Sequence, residues 1–229
     1  MSIRNVAPST LVVNCPTVGG HFPPLEPQLT DPSASSLDPR IRRRIHDLAE
    51  EGWEMWADFD RDVRARRWHS FVPGDYARIL DALLPFRAPG RTFLELGSAT
   101  GVIAIMADLL GFDACGIELD ESLVRLADAL AERYGSGARF AAGSFLPTGY
   151  VFRPKDGDGR LGTVGEGVSG YQKLGRPLDD FQVVYGYPWT GEEGLMHDLM
   201  LRYGDPDAHL LLHRVNGDVE VYRRGKRIS

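Results

Sequence analysis

Two acidic strand ends and a glycine turn carry the chemistry of this chain. The run Thr92-Phe-Leu-Glu-Leu-Gly-Ser-Ala-Thr-Gly101 stops at Gly97, and Ala114-Cys-Gly-Ile-Glu-Leu-Asp120 ends on Glu118, twenty-one residues after Gly97. A glycine turn at the carboxyl end of a strand, leading into a helix, lets a ligand approach the backbone and accept from its N–H groups. A carboxylate closing the next strand can accept both hydroxyl hydrogens of a ribose. Gly97, Ser98, Ala99, Thr100 and Gly101 are thus candidate ligand-binding positions, with Glu95, Glu118 and Leu119 beside them.

The elements that must position these groups are legible nearby. Phe93, Leu94 and Leu96 form the short apolar run of a parallel strand buried on both faces. Val102, Ile105, Met106 and Leu109 recur at helical spacing, with Ile103, Ala107 and Leu110 in a second stripe, so the helix is expected to be covered on two sides. Strand, glycine turn, helix, strand and acidic end together resemble the class I S-adenosylmethionine-dependent methyltransferases. The first motif of that family is an acidic residue, any residue, then Gly-x-Gly-x-Gly; Glu95, Gly97 and Gly101 match it, and Ala99 stands in for the central glycine. The dinucleotide pattern Gly-x-Gly-x-x-Gly fits less well, because Ala99 and Val102 would have to fill two of its glycine positions.

The resemblance implies S-adenosylmethionine as cofactor and a Rossmann-like sheet. In that family the segment before the first strand closes over the methionine end of the cofactor, which makes Asp75 and Tyr76 candidates. An acidic side chain after the third strand commonly meets the adenine amino group; here Ser144 and Phe145 occupy that place. The fourth strand, Phe181-Gln-Val-Val-Tyr185, leads into Gly186-Tyr-Pro-Trp189, where enzymes acting on amino groups carry Asn or Asp, Pro, Pro and an aromatic. Only Pro188 and Trp189 match, so the acceptor is not identified. The resemblance places Tyr185, Tyr187 and Trp189 at the methyl-transfer site, with Tyr185 also against the cofactor. His69 and His213 are alternative bases, although a lone histidine is more often a packing or surface residue.

Around this nucleus the chain divides into three parts. Residues 1–37 hold six prolines among Ser, Thr and Gly and read as an extended or disordered arm. Residues 38–70 read as a helical cap started by Asp38-Pro39, its apolar face running through Ile41, Ile45, Leu48, Trp56, Phe59 and Val63, interrupted near Gly52 and reaching about Arg67. Trp53, Trp56 and Trp68 suit core packing or an aromatic wall over the site. Residues 71–229 read as the Rossmann-like domain, with a helix from Tyr76 to about Phe86, a third strand over Arg139–Phe145, and a Gly-rich insertion at 146–179 without a helical stripe. Within that insertion an irregular hairpin would present Glu166 and Tyr171, and the stretch suits a lid or an inert loop. Thr190-Gly-Glu-Glu193 reads as a capping box, and Asn216-Gly217 as a two-residue hairpin turn after the strand His209–His213.

Composition bounds the rest. A net charge of −6 and a pI near 5.5 disfavour a nucleic-acid backbone as main partner. Basic runs at Arg40 to Arg44 and Arg223 to Arg227 read as a solvated face and tail. Cys15 and Cys115 do not make a disulfide framework or a metal cluster, and no leader or membrane-length apolar run is found, so a cytoplasmic setting is expected.

The reading is an α/β, doubly wound, mostly parallel sheet shortened at the carboxyl end to five parallel strands and one antiparallel partner, behind the helical cap. Methyl transfer from S-adenosylmethionine to a small-molecule or peptide nucleophile is the first function. A cofactor-holding regulatory module and a nicotinamide-dependent oxidoreductase are its alternatives. A homodimer through the N-terminal helices would suit the cap.

Overall fold

The computed structural model describes residues 37–64, 69–151, 167–189 and 191–229. The N-terminal arm up to residue 36, Trp68, Glu166 and Thr190 lie outside the described residues. Seven strands form one sheet: β1 (Thr92–Leu96), β2 (Asp113–Glu118), β3 (Arg139–Ala142), β4 (Val183–Gly186), β5 (His209–His213), β6 (Val219–Arg223) and β7 (Lys226–Arg227). Their order is β3-β2-β1-β4-β5-β6-β7. The first five are parallel, and β6 and β7 are antiparallel additions. The strand order reverses between β1 and β4, opening a crevice at their carboxyl ends where such sheets place ligands.

Strand side chains alternate between faces, so each strand feeds two cores. Phe93, Val183, Tyr185, Leu211 and Val221 pack with helices α1 (Pro39–Phe59), α2 (Tyr76–Leu83) and α3 (Val102–Leu109). Leu94, Leu96, Cys115, Ile117, Val184, Leu210 and Leu212 pack on the other face with α5 (Gly170–Leu174) and α6 (Glu193–Tyr203). Between β2 and β3 runs α4 (Glu121–Arg133), whose N-cap Asp120 accepts from the Ser122 N–H at 2.7 Å. At the start of α1, Asp38 accepts from the Arg40 N–H beside Pro39, the cap read from sequence.

Several expectations are corrected. The first helix is unbroken at Gly52, runs to Phe59 and continues as a single π turn over Asp60–Arg64. Gly52 is there for closeness: a Cβ on it would lie 2.7 Å from Val102 Cγ2 and 3.2 Å from the Tyr76 hydroxyl. Since Ile45, Leu48 and Ala49 are buried against the sheet domain, the apolar face of α1 is already taken up within the chain. The third strand ends at Ala142, three residues early, because Ser144 pairs with Ser169 instead of continuing the ladder.

The stretch 146–179 is not structureless where it is described: α5 and a 3-10 turn over Leu178–Asp180 occupy its end, anchored by buried Tyr171 and Leu178. Five residues are too few to show a helical period in sequence. The hairpin after β5 has a three-residue loop, Val215 to Gly217, closed by the Arg214 N–H to the Asp218 carbonyl at 2.8 Å, with Gly217 at φ +87°. The capping box involves Thr190, outside the described residues; the Glu193 carboxylate accepts from the Gly191 N–H at 3.1 Å and pairs with Arg214 at 2.9 Å. Finally, the sheet gains one strand over the expected six, the two-residue β7.

Candidate active site at the carboxyl edge of the sheet

The glycine turn after β1 folds back onto β2. Gly97 and Gly101 take φ of +74° and +76°, and Ala99 takes +44°. The left-handed region suits glycine and strains alanine. Nothing lies within 4 Å of where a Gly97 Cβ would be, so open room adjoins the end of β1. Gly101 is crowded instead: a Cβ there would sit 2.5 Å from the Phe140 ring.

Most of the turn's N–H groups are spent internally. Those of Gly97 and Ser98 donate to the Ile117 carbonyl at 2.9 and 3.0 Å, that of Ala99 to the Glu118 carboxylate at 2.9 Å, and that of Gly101 to the Ser98 carbonyl at 2.6 Å. The sequence expectation of a row of donors offered to a ligand is therefore corrected: the turn offers mainly room, and four of its N–H groups are bonded within the protein. Ser98 is buried, its hydroxyl over Gly116, where a Cβ would lie 2.7 Å from it. The side chain packs the turn onto β2.

Glu118 closes β2 beside this room. Its carboxylate accepts from Ala99 and from the Asp120 N–H, each at 2.9 Å. The Leu119 N–H also acts on it, and since a carboxylate has about four acceptor positions, capacity remains for a hydroxyl. Burial raises its pKa, and the Asp120 and Ala99 N–H groups and His69 pull the other way. Leu119, next to it, is exposed. Glu95 is buried inside the sheet face, accepting from the Ala104 N–H of α3 at 2.9 Å. Burial, reinforced by Glu118, holds its carboxyl well above the usual range against that N–H. Glu95 thus ties β1 to α3.

A strap of aromatic residues roofs the turn. Phe59, Phe71 and Leu123 cluster with Trp56, Val63 and Ala99. His69 stacks edge-on against Phe59 at 4.8 Å, accepts from the Phe71 N–H at Nδ1, and brings Nε2 within 3.4 Å of Asp120. Trp53 meets both Trp56 and Tyr76 edge-on, at 6.1 and 5.6 Å. Tyr76 is buried in the same core as Tyr185, and burial raises its pKa. Asp75 caps α2 by accepting from the Arg78 N–H at 3.1 Å.

The proposed adenine edge is divided. Ser144 is buried, and its hydroxyl accepts from the Leu146 N–H at 3.2 Å. Phe145 points into the opposite core, beside Tyr171 and Leu146. At the end of β4, Tyr185 is 1% exposed and its hydroxyl has no partner. Tyr187 and Trp189 are half-buried. The Trp189 N–H donates at 2.9 Å to Glu192, which is fully buried at the start of α6. Glu192 escaped the sequence reading because an acidic residue at a helix start ordinarily complements the dipole in solvent. His213, at the end of β5, is 2% exposed and lies against the Tyr187 ring at 4.4 Å, the planes tilted by 57°.

The reversal between β1 and β4, the glycine turn after β1 and the acidic end of β2 define a doubly wound, Rossmann-like sheet. Over 107 residues the chain is 40% identical to the ribosomal protein L11 methyltransferase of Thermus thermophilus, a match covering 45% of this chain and 42% of that protein. The match therefore spans less than half the length of that relative. Among solved structures, the chain is similar to an RNA methyltransferase from Salinibacter ruber in complex with S-adenosyl-L-homocysteine, at 18% identity, 62% of this chain, 76% of that one and TM-score 0.44. A methyltransferase from Geobacter sulfurreducens in the same type of complex gives 20%, 69%, 54% and 0.42. No family model matches the chain. No helix among the described residues is long and apolar enough to cross a membrane.

Proposed function

We propose that the protein is an S-adenosylmethionine-dependent methyltransferase acting on a small-molecule or protein nucleophile. The observation that carries the reading is the Glu118 carboxylate at the end of β2, with acceptor capacity to spare, facing the open room beside Gly97. The residues present fit an adenosyl ligand by that carboxylate and that room. Glu118 would hold the ribose, with Leu119 along the base and Tyr76 and Thr100 toward the amino-acid end; the Ser144 backbone is already bonded to Val168 and Gly170. When bound, the cofactor supplies an electrophilic methyl group on a sulfonium sulfur.

What the chain then contributes is alignment and exclusion of water. Tyr185, Tyr187 and Trp189 supply a wall for the acceptor, with Glu192 fixing the loop that carries Trp189. The aromatic faces suit a positive charge appearing on a methylated nitrogen. A cytoplasmic setting accords with the paucity of cysteine.

Calorimetric titration with S-adenosylmethionine, S-adenosylhomocysteine and NAD tests the cofactor. Binding of the first two and not the third is expected, and the opposite pattern would make the protein a nicotinamide enzyme. The relative's name makes ribosomal protein L11 the first acceptor to assay, by transfer of radiolabelled methyl. Cofactor binding without transfer to L11 or to a panel of small nucleophiles would favour a regulatory module.

A further inference from the structure

Of the buried side-chain polar atoms without a hydrogen-bond partner among the described residues, three stand together at the carboxyl edge, on Tyr185 and His213. The Tyr185 hydroxyl and both ring nitrogens of His213 are all inaccessible and make no hydrogen bond of normal geometry, the Gly217 backbone being the one polar backbone group that acts on the imidazole from close by. The two side chains stand on neighbouring strands, project to the same face, and have ring centroids 6.4 Å apart at 32°. Tyr187 covers the imidazole from one side at 4.4 Å. Gly74 also lies close, where a Cβ would come within 3.2 Å of Cε1 and Nδ1. A packing histidine would ordinarily give at least one nitrogen to a neighbour, since an unmade buried hydrogen bond is destabilising.

We propose that Tyr185 and His213 form the hydrogen-bonding floor of the acceptor site, taking an uncharged group that carries hydrogen on nitrogen or oxygen. Each is both donor and acceptor when neutral, so the pair can receive the hydrogen of such a group and donate to its lone pair. Half-buried Tyr187 and Gly74 are the neighbours that border the imidazole. The assignment of this group as a methyl acceptor rests on the methyltransferase reading; the floor itself does not.

The ionisation of both groups suits an uncharged guest. Burial lowers the pKa of His213, with Arg78 adding to the effect, while Asp75, Asp218 and the Gly217 backbone oppose it. Burial holds the Tyr185 phenol well above its ordinary value, reinforced by Glu95, Tyr187, Tyr76 and Asp75. Both therefore stay neutral around pH 7.

Two measurements test the floor. Tyr185→Phe removes an unpartnered hydroxyl, so its melting temperature should rise by a few degrees; an unchanged or lower melting temperature means the hydroxyl is structurally bonded, and overturns the proposal. The second follows the His213 ring by NMR in carbon-13 histidine-labelled protein, with the signal assigned by its loss in His213→Gln. Saturating S-adenosylhomocysteine is added first, then n-butanol, acetamide or n-butylammonium. Shifts from the first two, at least halved in Tyr185→Phe, and none from the ammonium ion are expected. No shift from either neutral probe overturns the floor, and an equal shift from the ammonium ion overturns its preference for an uncharged guest. If the parent fails to bind S-adenosylhomocysteine, the methyltransferase reading falls, while both measurements on the ligand-free protein still decide the floor.

Discussion

At the residue scale, the carboxylates separate by task. In the proposed site, Glu118→Ala would remove a pair of charge-assisted hydrogen bonds to the ribose, each worth about 1.5–3 kcal/mol. Since about 1.4 kcal/mol is a factor of ten, S-adenosylmethionine affinity should fall at least tenfold by calorimetry. Glu95 makes a different prediction. Its pKa is raised in the fold, so the stability it contributes is fully present below the unfolded value of 4.5 and is lost as pH rises through the folded value. Glu95→Gln keeps an oxygen for the Ala104 N–H and removes the charge. Its melting temperature should exceed the parent's by a margin that grows from pH 5 to pH 8; a margin constant with pH would show that Glu95 is not the linked group. Both carboxylates were legible from their spacing around Gly97. The spent N–H groups of the turn were not, because sequence does not reveal that the Ile117 carbonyl reaches them.

At the element scale, the contact of α1 with α3 decides whether the N-terminal helix belongs to the core. Gly52→Ala gains about 1 kcal/mol of helix propensity. It also drives a methyl group to 2.7 Å from Val102 Cγ2, and overpacking costs about 1–3 kcal/mol. The clash should win, lowering the urea midpoint with an unchanged m value. Capping residues and long periodic stripes made α1, α3 and α4 readable in sequence. Gly52 misled because a glycine inside a stripe reads as a break, and its real cause, a neighbouring side chain, is visible only in three dimensions. The same reason hid α5, whose five residues are fixed by Tyr171 entering a core built from distant strands.

At the scale of the whole molecule, cofactor binding should show as added thermal stability. At one hundred times the dissociation constant a ligand contributes about 2.7 kcal/mol, and for a chain of this size each kcal/mol moves the midpoint about 2–4 °C. S-adenosylmethionine should therefore raise the melting temperature by roughly 5–10 °C in a scan, and NAD should leave it in place. The parallel order of the first five strands followed from the resemblance and the glycine turn, whereas β7 was too short to leave a pattern. Among the described residues the sheet's margins are the four-residue β3, led by exposed Arg139, and the two-residue β7, made of exposed Lys226 and Arg227. A second chain extending the ladder at either margin would find few free backbone groups and would have to strip water from cationic side chains. The same short, basic borders that end the sheet thus act as gatekeepers against fibrillar self-assembly, and keep its exposed backbone from templating another copy.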